Sequence, residues 1–168
     1  MRGTASFSPC RKYRYSLTRV WDADRARVCF CMLNPSTADA QKFDPTVRRC
    51  YGFALDWGFG SMEVVNVCAY RATRPSDLHA QDEPMGAGNP RAIRRACARA
   101  KLVIAAWGNE AIEHPTALSH AERALMEHDN VRCFGLTGKY QPKHPLYIAA
   151  ATKPVVFAPM AVATSVPA

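Results

Sequence analysis

Short apolar runs alternate with segments of helical spacing along the chain. Four nearly continuous apolar runs are typical of strands that are buried on both faces of a sheet. They span 27–33, 62–68, 102–107 and 131–136. Alternation over 13–21 predicts a further strand with Tyr13, Tyr15 and Leu17 on one face, and 155–158 is expected to form a short last strand.

Three segments between these strands have the start signals or the spacing of helices. Asp44 followed by Pro45 is typical of an N-cap and the first helical position. Asn89–Pro90 repeats that signal, and a third helix is expected over 116–127. The segment 69–88 is predicted to be an irregular loop, because two prolines interrupt it.

The alternation of strands with helices predicts the α/β class. We expect three layers, α/β/α, with a central, mostly parallel sheet. We expect residues 1–158 to form one domain, because a chain of 168 residues can bury a substantial core. Residues 159–168, rich in alanine, valine and proline, are expected to form a flexible tail.

Composition argues against several classes of protein. No apolar run reaches the roughly 20 residues that span a bilayer, and the N-terminus lacks the apolar segment of a secretory signal. We therefore expect a cytoplasmic protein without membrane contacts. The seven cysteines, an odd number without Cys-x-x-Cys, are predicted to be mostly reduced core thiols. We predict no metal, because the histidines show no ligand spacing, and no cofactor, because Gly58-x-Gly60 lacks the remainder of a dinucleotide fingerprint.

The net charge of +8 favours a polyanionic partner. Lysine and arginine side chains that neutralise phosphates release condensed counterions, which is the main source of affinity for nucleic acids. Part of this charge has a simpler interpretation as the solvated face of the second predicted helix. The residues concerned are Arg91, Arg94, Arg95 and Arg99.

Polar residues follow the predicted strands at their carboxyl ends, where open α/β sheets bind ligands. Asn34 ends the first apolar run and His144 follows the last one, each directly before a proline, so they predict two walls of a cleft. Asn66 lies near the end of a valine-rich strand and is expected to face the same pocket, since a buried amide needs partners. Two alternatives stay open: Asn34 in an Asx turn and His144 as a structural residue.

A hydrolase triad is a further possibility in this region. Ser36, Asp44 and His144 occur in the chain order of an α/β-hydrolase. The Gly-x-Ser-x-Gly context that holds such a nucleophile is missing from the sequence, which disfavours acyl transfer.

Four motifs resemble the uracil-DNA glycosylase superfamily and occur in that family's order. They are 29–36 with Asn34–Pro35, 64–67 with Asn66, 103–108 with Trp107–Gly108, and 143–147 with His144–Pro145. A fuller pattern covers nearly the whole chain and resembles an uncharacterised family of bacterial and phage proteins, known only as a domain of unknown function. Its segments are 13–15, 33–39, 44–46, 71–73 and 144–147.

The glycosylase resemblance implies a uracil-DNA glycosylase-like fold and a role for each residue. Asn34 would position a water through its carboxamide oxygen, and His144 would donate a hydrogen bond to the departing base. Asn66 would recognise a flipped base, and Leu146 would wedge the base stack open. The resemblance also implies substrate contacts from Pro35, Ser36, Tyr70 and Tyr147, and phosphate contacts from Arg71, Arg74, Lys139 and Lys143.

The expectation is a monomeric DNA glycosylase-like hydrolase that acts on a damaged or modified base in DNA. The chain departs from the family pattern in three ways. Its late motif has Leu146 where some family members have serine. No aromatic residue that could stack on the base follows Pro35 directly, so Phe43 and Tyr70 are the candidates for that role. The acidic residue that activates water in the fastest branch of the family has no counterpart unless Asp39 or Asp44 replaces it. The alternatives are a hydrolase or binding protein for a free nucleoside or nucleotide, and an inactive nucleic-acid-binding module.

Overall fold

A seven-stranded mixed sheet forms the centre of the computed structural model, which describes residues 1–159. Its strands are β1 (Arg2–Phe7), β2 (Arg14–Val20), β3 (Arg27–Met32), β4 (Ser61–Asn66), β5 (Leu102–Ala105), β6 (Val131–Cys133) and β7 (Val155–Val156). The order is β1-β2-β4-β3-β5-β6-β7. The central four, β4, β3, β5 and β6, are parallel, and the outer strands pair antiparallel. The α/β class with a mostly parallel centre is thus confirmed.

Helices cover both faces of this sheet. They are α1 (Pro45–Asp56), α2 (Pro75–His79), α3 (Asn89–Arg99) and α4 (Pro115–Met126), with 3-10 turns at Asn109–Glu113 and Pro145–Tyr147. On one face α1 packs through Val47, Cys50 and Phe53 against Phe30 and Val64. On the other face α3 and α4 pack against alternate residues of the same strands. Burial of these apolar stripes stabilises the layers.

Three local features differ from what the sequence predicts. Strand β1 has no counterpart among the predicted strands. The segment 69–88, predicted to be an irregular loop, contains α2, because Pro75 takes the first helical position rather than preventing a helix. Gly88, not Asn89, is the N-cap of α3. The Asn89 amide is fully buried instead and donates to the backbone carbonyls of Asn66 and Val67, which joins α3 to the end of β4.

The alternation predicted for the second strand is also wrong, because β2 contains a bulge. Ser6 of β1 faces Ser16 and Phe7 faces Arg14, so Tyr15 has no counterpart. The extra residue turns Tyr15 toward the α3 side, where a Cβ added at Gly88 would lie 3.2 Å from Tyr15 Cζ. Leu17 packs on the α1 side, and Arg14 also reaches that side, where it bonds to the carbonyl of Ala38. A bulge thus re-aims the arginine side chain.

The cysteines are free thiols in the structure. Cys10 is exposed and the other six are buried in the core, as the apolar context of most of them predicted. Burial raises the pKa of the Cys68 thiol to about 12, so this group is an apolar packing element. No helix within residues 1–159 is long and apolar enough to cross a bilayer. Apart from Pro159, the predicted tail lies outside the described residues.

Candidate functional site

A cleft of about 520 Å³ lies beyond the carboxyl ends of β3 and β5. The chain runs from β3 to its neighbour β4 and then crosses back to β5 on the other side of β3, so the strand order reverses here. Such switch points are where open α/β sheets bind ligands. Asn34, Ser36, Asp44, Trp107 and His144 are among the lining residues.

The Asn34 carboxamide has a fixed orientation in this cleft. Its Nδ2 donates to the carbonyl of Ala72 at 2.8 Å and to that of Pro35 at 3.0 Å. Within a carboxamide only the NH₂ group donates, so Oδ1 is the atom directed away from these carbonyls. Oδ1 has no partner within residues 1–159 and is not among the fully buried polar atoms without one. It is an acceptor that is open to the cleft.

The His144 imidazole is a neutral donor. Its Nδ1 accepts a hydrogen bond from the Leu146 backbone N–H at 3.3 Å, so the proton of the neutral ring lies on Nε2. Burial lowers the pKa of His144, and the nearby Asp44 carboxylate opposes this only in part. Gly108 in the β5 loop, with φ 74° and ψ −173°, has a backbone conformation that almost only glycine adopts, and it brings this loop next to His144.

Two charged groups form the inner wall beside these residues. Asp44 caps α1, as predicted, through a 2.8 Å hydrogen bond from the Val47 N–H to Oδ1. The Arg14 guanidinium, 2% exposed, donates from Nη1 to the Ala38 carbonyl at 2.7 Å. Burial lowers the pKa of Arg14 to about 10, against the opposing effect of Asp44. Within residues 1–159 no salt bridge joins Arg14 to a carboxylate.

The comparisons with known proteins give one match. The family model described as "Protein of unknown function (DUF1643)" matches residues 14–146. The chain belongs to this family. No curated protein and no solved structure matches it. The matched span of this DUF1643 chain begins at Arg14 and ends at Leu146, so Asn34, Asp44 and His144 lie inside it.

The cleft of the DUF1643 chain contains some of the predicted site residues. Ser36, Leu146 and Tyr147 line it together with Asn34 and His144. Leu146 is half-buried, whereas the Tyr147 side chain is 90% exposed at the mouth. Glu110 lines the opposite wall, and its carboxylate is 2.8 Å from His79 Nε2.

Other predicted residues lie elsewhere. Asn66 is buried, and neither polar atom of its side chain has a partner within residues 1–159, but it is not a lining residue of the cleft. Tyr70 and Arg71 line a neighbouring depression, Arg74 forms an exposed ion pair with Asp77, and Lys139 lines a third depression. Pro35 is buried, Lys143 is exposed, and neither Phe43 nor Asp39 lines the cleft.

The triad geometry is not formed in the DUF1643 chain. Ser36, Asp44 and His144 all line the cleft, but His144 Nδ1, which a triad carboxylate would contact, accepts from the Leu146 N–H. Asp44 Oδ1 serves the helix cap. Across residues 1–159 no group of three or more histidine, cysteine, aspartate or glutamate side chains is placed to hold a metal ion.

Arg14 is the site residue that sequence reasoning missed. Its only sequence signal was its place in the 13–15 segment of the family pattern. Regular alternation would have put Arg14 on the side opposite Leu17, and no residue type marks the bulge that returns it to the cleft side.

Proposed function

We propose that this protein is a DNA glycosylase-like hydrolase that cleaves the N-glycosidic bond of a damaged or modified base. One observation carries the proposal: an open acceptor, Asn34 Oδ1, and an open donor, His144 Nε2, line the same cleft. Cleavage of this bond builds positive charge on the sugar and negative charge on the departing base. A site for this reaction therefore needs an acceptor for the attacking water and a donor for the base.

The chain's residues would act in a defined way. Asn34 Oδ1 would accept a hydrogen bond from a water and hold it against the sugar carbon, while Nδ2 stays fixed by two carbonyls. His144 Nε2–H would donate to the base oxygen as negative charge grows there. Because burial lowers the pKa of His144, the ring is neutral at neutral pH and donates without carrying a positive charge.

The side chains at the mouth of the cleft are suited to DNA from which the substrate base is extruded. The Tyr147 ring, 90% exposed beside the His144 wall, is free to stack on a neighbouring base, whereas Leu146 is half-buried. Tyr147 is thus the better candidate for the wedge. Exposed Lys143 and Arg74 would contact phosphates outside the cleft.

The test is a panel of single- and double-stranded oligonucleotides that carry uracil, mismatched or modified bases, scored for abasic sites. We expect cleavage of at least one substrate. Asn34→Ala and His144→Ala should each lower its rate about 10²–10³-fold, as expected for loss of a preorganised polar contact. His120→Ala, a change on α4 at a residue that does not line the cleft, should leave the rate unchanged. No cleavage across the panel, with no DNA binding at low salt, would contradict the proposal.

A second candidate is a hydrolase for a free nucleoside. It is favoured by one observation: none of Arg71, Arg74, Lys139 and Lys143 is among the described lining residues of the cleft. This candidate predicts turnover of a nucleoside that does not depend on salt, because no phosphate contacts would be screened. Turnover of oligonucleotides that falls steeply with salt would contradict it.

A further inference from the structure

Arg14 is a buried cation with unused donors. Only Nη1 has a hydrogen-bond partner within residues 1–159, and Nε is buried without one. Arg19 lies on the same face of β2, 1% exposed, and its Nε is also unpartnered. The two differ in what surrounds them: Arg19 Nη2 donates to the Asp39 and Lys42 carbonyls, whereas Arg14 lines the cleft.

Asp44 offers the complementary acceptor. Its Oδ1 is occupied by the helix cap, while Oδ2 has no partner within the described chain and is not among the fully buried atoms without one. Asp44 lines the same cleft as Arg14, and its carboxylate opposes the effect of burial, which lowers the pKa of Arg14. No salt bridge joins the two groups within residues 1–159. A donor and an acceptor thus line one cleft without neutralising each other through direct contact.

The charge of the lining points to a neutral ligand. Among residues 1–159, the charged residues that line the cleft are one cation, Arg14, and two carboxylates, Asp44 and Glu110. His144 adds no positive charge at neutral pH because burial lowers its pKa. Although the chain carries a net charge of +8, this cleft would therefore repel a phosphate or carboxylate rather than attract it.

We propose that Arg14 and Asp44 together recognise the polar edge of a neutral nucleobase, with Arg14 donating to a ring acceptor and Asp44 Oδ2 accepting from an adjacent N–H. The nature of the ligand rests on the proposed function. Nucleobases have two edges of this kind, and each presents an acceptor beside a donor. One is a carbonyl next to a ring N–H, and the other is a ring nitrogen next to an amino group. Asn66, which would have this role by family resemblance, does not line the cleft.

The test is titration of the full chain by NMR with the four common nucleosides, their 5′-monophosphates and inorganic phosphate. We expect at least one nucleoside to bind, its monophosphate to bind no more tightly, and phosphate not to compete. Arg14→Met should weaken binding at least about tenfold, the usual effect of losing a hydrogen bond to a charged group, and Asp44→Asn should weaken it by a similar factor. The matched control Arg19→Met removes an equally buried guanidinium outside the cleft and should leave affinity within about twofold.

Four results of this titration would overturn the inference: no nucleoside binding to the wild type, unchanged affinity in Arg14→Met, equal weakening by Arg19→Met, or phosphate binding that depends on Arg14. If Arg14→Met does not fold by circular dichroism, Arg14→Lys keeps the charge but not the planar fork, and unchanged binding there would count equally against it. If Arg14→Met cleaves oligonucleotides as well as the wild type, this inference is contradicted and the proposed function stands. If nucleoside binding depends on Arg14 but no abasic sites form, the inference stands and the proposed function is contradicted.

Discussion

Two clusters of charged and polar side chains in this protein contrast in how completely their polar atoms are paired. The Glu63 cluster consists of Glu63, which is 1% exposed, with Arg27 and Arg99. Both carboxylate oxygens are paired, Oε1 at 2.6 Å from Arg99 Nη2 and Oε2 at 3.2 Å from Arg27 Nη1.

The second cluster, the cleft cluster, consists of Arg14, Asp44 and His144, and it leaves open a donor or acceptor on each residue. A paired buried charge holds the native fold together, whereas open polar atoms at a sheet edge are available to a ligand. We therefore expect changes in the Glu63 cluster to alter stability, and changes in the cleft cluster to alter ligand binding.

The largest effect on stability is expected from Glu63→Gln. The change removes the charge that both arginines contact, and it should lower the free energy of unfolding by about 2–3 kcal/mol. This is below the usual range for a fully buried pair because the Arg27 and Arg99 side chains are 25% and 45% exposed and can be solvated. Urea unfolding measures the effect. The control Glu127→Gln, at an exposed pair with Arg94, should change stability by less than about 0.5 kcal/mol, and equal losses would erase the contrast.

An intermediate effect is expected at Asp44, the residue of the cleft cluster that also caps a helix. Asp44→Ala should lose about 1 kcal/mol, because the Val47 N–H at the start of α1 loses its acceptor. Asp44→Asn keeps an oxygen acceptor at the cap and should be close to the wild type in stability, while still impairing the site. Thermal unfolding of the two variants separates the roles. Equal destabilisation would mean that the carboxylate charge, not the cap, stabilises the fold.

A smaller effect is expected from Arg14→Met, in spite of the almost complete burial of Arg14. Replacing a buried cation that has no salt bridge within the described chain by an apolar side chain of similar length should change the free energy of unfolding by no more than about 1 kcal/mol in either direction. The lost bond to the Ala38 carbonyl and the relieved desolvation oppose each other. Urea unfolding beside Glu63→Gln tests this. A loss as large as that of Glu63→Gln would place Arg14 among the structural residues.

The smallest effect is the pH dependence that His144 gives to stability. Burial lowers the pKa of His144, so below the ordinary value of about 6.5 the unfolded chain takes up a proton that the folded chain does not. Stability should therefore fall as pH drops from 6.5 toward the folded pKa and be unaffected above 6.5. Unfolding at pH 7.5 and 5.5 measures the slope, which His144→Gln should reduce. The remaining slope would include His114, whose pKa burial also lowers. A slope unchanged by His144→Gln would contradict a buried neutral ring.

The sequence predicts the parts of this protein that depend on local physics. Apolar runs identified the four parallel strands, and Asp44–Pro45 identified both the start of α1 and its cap. The rule that open α/β sheets bind ligands at the carboxyl ends of their strands predicted that Asn34 and His144 line one cleft, as they do in the structure. These predictions succeed because each needs only the residue, its immediate neighbours and the topology of a parallel sheet.

The remaining features depend on tertiary contacts. Pro75 is compatible with a loop or a helix start, and packing of the buried Leu78 against the core accompanies the helix. The partners of Asn66 and Asn89 also depend on the tertiary structure, because a buried polar side chain can pair only with groups that the fold brings next to it. Asn89 donates to two backbone carbonyls, whereas the Asn66 side chain has no partner within residues 1–159. No local pattern distinguishes these outcomes.

The bulge at Tyr15 separates a residue that faces α3 from the residues that line the cleft. The ladder from Leu17 to Val20 is fixed by pairing with β4, so deletion of one codon at Tyr15 would leave that part of the strand in place. Arg14 would then stand two positions before Leu17, and regular alternation alone would keep it on the cleft side. The deletion would remove the tyrosine that lies against Gly88 at the start of α3. A three-nucleotide deletion would therefore remove an aromatic contact to α3 without altering any residue that lines the cleft.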